Sequence, residues 1–155
     1  MIQIFAAAWG ENQAKLKEYI SKNPTRCYDS YKRLLESVFN EVINPYLEGK
    51  NSGTYDVDKI VEIDHGHYQG CFIYIIPKKA YQPMPDEYII TYADYGSCTC
   101  CDTLQHILGW CDGDDKRPNE EQTRELMQLC LNLLQRCKQP YEEEYWQDDV
   151  DYEKE

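Results

Sequence analysis

Apolar and polar positions divide the chain into a helical first third, a strand-rich middle and a helical end. Residues 11–22 read as a short helix that ends at Asn23-Pro24. Beyond it, Tyr28, Tyr31, Leu35, Val38, Val42 and Tyr46 recur at spacings of three and four, and Leu34, Phe39 and Ile43 widen the stripe. That periodicity predicts one long amphipathic helix, capped by Thr25 and stopping near Gly49. The pattern then changes. Val57–Asp64, Cys71–Ile76 and Glu87–Tyr92 are strand-length runs, the second closed by Pro77. The joining segment His65–Gly70 has hairpin length and two glycines, so a three-stranded antiparallel meander is the simplest arrangement.

Two more helices follow. Thr99 with Asp102 three residues later has the form of a capping box, after which Leu104, Ile107 and Leu108 face one way and Gly109 ends the turn. Cys111–Pro118 is an acidic loop. Asn119 caps the last helix, whose stripe is Leu126, Leu129, Leu133 and Cys137, and Glu120 and Glu121 suit its positive end. The sequence has no internal repeat. The expected class is α+β: a small three-stranded antiparallel sheet packed against several helices, in one domain over residues 1–140.

Charge sets the last 15 residues apart. The chain carries 28 Asp and Glu against 16 Lys and Arg, a net charge of −12. Residues 141–155 hold eight of those acids and a single Lys, interleaved with Tyr141, Tyr145, Trp146 and Tyr152. They read as an acidic, aromatic and disordered tail. Phosphate repels a chain of this charge, so direct nucleic-acid binding is not expected, whereas a basic protein surface would suit it. The apolar start Met1–Trp9 is short and lacks a basic flank, and no apolar run reaches membrane-spanning length. A cytoplasmic protein with reduced thiols is therefore expected, without a membrane partner.

Eight cysteines in such a compartment point to metal or redox chemistry before disulfides. Cys27, Cys71, Cys111, Cys130 and Cys137 are dispersed and read as core thiols. Cys98 and Cys101 form a C-x-x-C, half of a zinc site. His65 and His67 supply a second pair. A meander brings the His65–Gly70 turn and the Asp94–Cys101 loop to the same end of the sheet, so the four make a mixed His/Cys tetrahedron suited to zinc. His106, Cys100, Cys111 and Asp102 remain alternatives for the fourth ligand.

Two enzymatic readings compete. A strand, a C-x-x-C and a helix also open thioredoxin-like folds, but those need further strands downstream, and here only helix, loop, helix and tail follow. Cys101, His65 and Asp94 could form a hydrolytic triad, yet nothing specifies an oxyanion hole. The chain has no P-loop, GxGxxG, GxSxG or HExxH. A non-enzymatic protein is expected.

The segments Ile63-Asp64-His65-Gly66-His67-Tyr68-Gln69-Gly70 and Tyr95-Gly96-Ser97-Cys98-Thr99-Cys100-Cys101-Asp102-Thr103-Leu104-Gln105 carry a resemblance. They resemble a family of small uncharacterised proteins of bacteriophages and Firmicutes, with the pattern D-H-G-x-Y-Q-G followed by Y-G-S-C-x-G-C-D-T-L-Q. The likeness runs from about residue 8 to residue 110. It falls on His65, Cys98 and Cys101; Cys100 stands where the pattern has Gly, and His67 takes the variable position. The chain is also similar to zinc-containing anti-CRISPR proteins that act against type II systems. That similarity implies stoichiometric binding to a host-defence protein, an RNA-guided CRISPR nuclease, and a block of DNA loading. An acidic binder has the basic nucleic-acid channels of such a nuclease to meet.

Overall fold

The computed structural model describes residues 1–23, 31–98, 100–109 and 117–140. The expected positions Thr25, Cys27, Tyr28, Thr99 and Cys111, most of the acidic loop and the tail 141–155 lie outside the described residues.

Helix α1 spans Ile2–Lys22, nine residues earlier in the chain than the helix expected at 11–22. The apolar start joins it because Phe5, Ala8, Asn12, Leu16 and Ile20 fall three or four apart and all are buried, a single stripe that ignores the polar turn at Gly10-Glu11. The long helix expected through Gly49 is broken in register. Helix α2 is Tyr31–Val38, a π-helical turn covers Phe39–Ile43, and α3 is Asn44–Leu47. Pro45 is the physical cause: it has no N–H and its ring crowds the carbonyl a turn earlier, and a wider turn relieves both. Val42 O accepts from the buried Asn12 Nδ2 at 3.1 Å, which explains a polar residue on the buried stripe of α1. Asn44 then holds the chain beyond it, pairing with both the backbone N–H and the carbonyl of Tyr55.

The sheet is the expected antiparallel meander, in the order β1-β2-β3. Strand β1 is Val61–Gly66, β2 is Gly70–Pro77 and β3 is Tyr88–Tyr95. The first strand begins later than expected, because Val57–Lys59 is a 3₁₀ turn, and it runs two residues further. His65 therefore pairs with Cys71 inside the ladder, and the hairpin loop shrinks to His67-Tyr68-Gln69. Gly66 and Gly70 face each other across its neck. A Cβ on Gly66 would lie 2.5 Å from Gln69 O, so the close approach requires glycine there.

Alternation gives the sheet two unlike faces. Tyr74, Ile76, Ile89, Thr91 and Ala93 are buried against the helices. Helix α4, Thr103–Leu108, follows β3, and α5, Glu120–Gln135, packs against α1, α2, α4 and β3. Asn119 caps α5 as expected, and Gln122 completes a capping box with it. Thr91 Oγ1 donates to Leu133 O at 2.7 Å, and Lys138 pairs with Ile90 at the β3 edge. The opposite face carries Val61, Ile63 and His65 from β1, Cys71, Ile73 and Ile75 from β2, and Ile90, Tyr92 and Asp94 from β3. Val61, Ile63 and Tyr92 are exposed and Ile73, Ile75 and Ile90 half-exposed. Among the described residues no helix is long and apolar enough to cross a membrane.

A candidate dithiol site at the end of the sheet

Strand β3 ends at Tyr95 and the chain turns sharply through Gly96 into the cysteine loop. The carbonyl of Cys98 accepts from the N–H groups of Cys101 at 3.1 Å and Asp102 at 3.0 Å, which folds the C-x-x-C back on itself. This brings Cys98 Sγ and Cys101 Sγ to 3.0 Å. Gly96 lies directly beneath, where any Cβ would overlap Cys101 Sγ.

Asp102 fixes the loop to the core. It is the N-cap of α4 in place of the expected Thr99, and its Oδ1 accepts from Gln105 N at 3.0 Å. Oδ2 accepts from Gly96 N at 3.1 Å. Tyr31 Oη, on α2, donates to Oδ1 at 2.9 Å and itself accepts from Leu104 N at 3.2 Å. Both side chains are buried. Burial, the largest cause, raises the Tyr31 phenol well above its usual range, and the Asp102 charge adds to it. Both of its oxygens accept hydrogen bonds, and Asp102 serves as the cap that ties the loop to the core.

The hairpin and the cysteine loop do share one end of the sheet. Gly70 pairs with Tyr95 at that end. Tyr95 stacks on Phe72 with ring centroids 4.4 Å apart, and its Oη donates to Asp64 Oδ1 at 2.5 Å. That bond lifts the Tyr95 phenol to about 12. The hydrogen bond between the two side chains is the largest cause of both shifts: it lowers Cys101 to about 7 and raises Cys98.

The expected imidazoles stand apart from the sulfurs in kind. His65 is an exposed ladder residue at the register position of Cys71 and Asp94, His67 is exposed in the hairpin loop, and His106 is exposed on α4. Among the described residues, no three His, Cys, Asp or Glu side chains are gathered around one point. Two thiolates on a tetrahedral zinc, each at about 2.3 Å, would sit about 3.8 Å apart. The sulfurs here are closer than that. Cys100 is exposed beside them. The core-thiol reading holds for Cys130 and Cys137, both buried and pushed up to about 12 by that burial. Cys71, half-buried on the open sheet face, is a departure from it.

One contributor is not legible in the sequence: Tyr31 reads there as one more stripe residue. The chain matches no protein-family model, no curated protein and no solved structure.

Proposed function

We propose that this chain is a non-catalytic binding protein of the bacterial cytoplasm that attaches to an RNA-guided type II CRISPR nuclease and blocks DNA loading. The observation that carries the binding part is the open sheet face, where Val61, Ile63, Ile73, Ile75, Ile90 and Tyr92 form an apolar array without a helix over it among the described residues. A soluble domain gains nothing from six such side chains on one face unless a partner covers them. The same face carries Asp94 at its margin, in a chain of net charge −12. An apolar centre with an acidic margin suits a basic partner surface with apolar contacts at its middle. The target itself comes from the resemblance of the two motif segments to phage proteins and anti-CRISPR inhibitors.

The test is a DNA-cleavage titration with the nuclease held fixed. Inhibition should saturate near molar equivalence and weaken as salt rises, because exposed charges are screened beyond about 8–10 Å. Inhibition below equivalence that grows with time would indicate turnover and overturn the reading. No effect on any RNA-guided nuclease would overturn the target.

Zinc belongs to this proposal as a scaffold, held by Cys98 and Cys101 with His65 and His67. Binding it would part the sulfurs by about 0.8 Å and turn the hairpin imidazoles inward. Protein made in zinc-replete medium is expected to carry about one zinc per chain, and Cys98→Ser or Cys101→Ser to lose it. Metal analysis checks this; a zinc-free preparation sinks the scaffold and leaves the sheet-face reading standing.

A further inference from the structure

We infer that Cys98 and Cys101 form a reversible disulfide, making this end of the sheet a thiol–disulfide exchange site that reacts with small disulfides of the glutathione class. The inference rests on the shape of the loop and on neither the nuclease nor the zinc proposal. The two sulfurs are in direct contact at 3.0 Å, with no other atom between them. The backbone already holds the tight turn that a bond between them needs, since both Cys101 N and Asp102 N bond to Cys98 O. The buried Asp102 carboxylate anchors that turn to α2, to α4 and to Gly96, so the sulfurs are held together by the fold and not by chance rotamers. Cys101 is the exposed residue of the pair and Cys98 the half-buried one, which favours Cys101 as the first to meet a reagent.

That difference assigns the order of events. Cys101 attacks one sulfur of the small disulfide; a Cys101–glutathione bond forms, the disulfide bond of the reagent breaks, and one glutathione thiol leaves. Cys98 then attacks Cys101 Sγ, the Cys98–Cys101 bond forms, and the second glutathione thiol leaves. Two electrons pass from the protein to the reagent, and the two cysteine protons end on the two glutathione thiols. The oxidised pair has no thiolate left for a metal, so disulfide and zinc exclude each other.

Cys100, adjacent and exposed, is the built-in rival for both steps. The geometry disfavours it, because the contact is made between Cys98 and Cys101.

The experiment uses the full chain, reduced and stripped of metal with a chelator, then exposed to oxidised glutathione. Free thiols are blocked and the peptides weighed. The peptide holding both cysteines should lose the mass of two hydrogens, and dithiothreitol should restore it. Cys100→Ser should behave the same way. Cys98→Ser should instead accumulate glutathione on Cys101, at least about tenfold over wild type, because the sulfur that displaces it is gone. Circular dichroism of each variant shows whether it is folded. A folded wild type that keeps glutathione on Cys101, or that joins Cys100 to either neighbour, overturns the inference. So does a Cys98→Ser protein with no more adduct than wild type.

Discussion

Replacing Asp102 by Ala is expected to remove about 3–4 kcal/mol of folding stability, seen as a fall of roughly 6–15 °C in the melting temperature. The carboxylate takes hydrogen bonds from Gly96 N, Gln105 N and Tyr31 Oη in a buried position. Truncation leaves those donors without their acceptor, and a stranded buried donor costs more than the bond was worth. It also uncaps α4 and frees the turn that holds the two cysteines. Asp102→Asn should cost less, since Oδ1 is kept, but its amide would meet the Gly96 N–H donor to donor. Tyr31→Phe, which loses one shared hydroxyl, should cost about 1–2 kcal/mol. Equal stability of Asp102→Ala and wild type would mean that this carboxylate does not organise the site.

The second large effect is on binding and not on folding. Ile63→Lys is expected to weaken attachment to the proposed partner about 100-fold while moving the unfolding free energy by under about 1 kcal/mol. Ile63 is 44% exposed in the edge strand β1, so the lysine can reach water without disturbing the buried face. In the complex it would place a desolvated positive charge in the apolar array, against the basic surface proposed for the partner. Binding isotherms with melting curves on the same samples separate the two quantities. Unchanged affinity with unchanged stability would move the interface away from this face.

Both predictions depend on side chains whose roles local pattern did not reveal. The meander was legible because β2 and β3 are runs of β-branched and aromatic residues, β1 alternates apolar and polar positions, and Gly, Pro or a polar turn separates them. Its consequence, that the hairpin and the C-x-x-C loop share one end, also held, as the pairing of Gly70 with Tyr95 shows. The boundaries did not hold where a distant partner overrode local preference. The apolar start of α1 needed a core to lie against, and the continuous helix through Tyr46 had to yield to Pro45.

By itself, then, the sequence determined the α+β class, the antiparallel order of the strands, the Asn119 cap and the sharing of one sheet end by two motifs. These follow from period, turn chemistry and the short connections of a meander, all of which act between near neighbours. Only the tertiary structure decided which sheet face lies open. Strand β2 is apolar on both sides, so its pattern cannot say which side the helices cover. It also decided that Asp102 serves as a cap bonded to Tyr31, 71 residues away in the chain. The contact of Cys98 with Cys101 belongs to the same class. A C-x-x-C spacing permits many loop shapes, and the anchored Asp102 and the bare backbone of Gly96 select one of them.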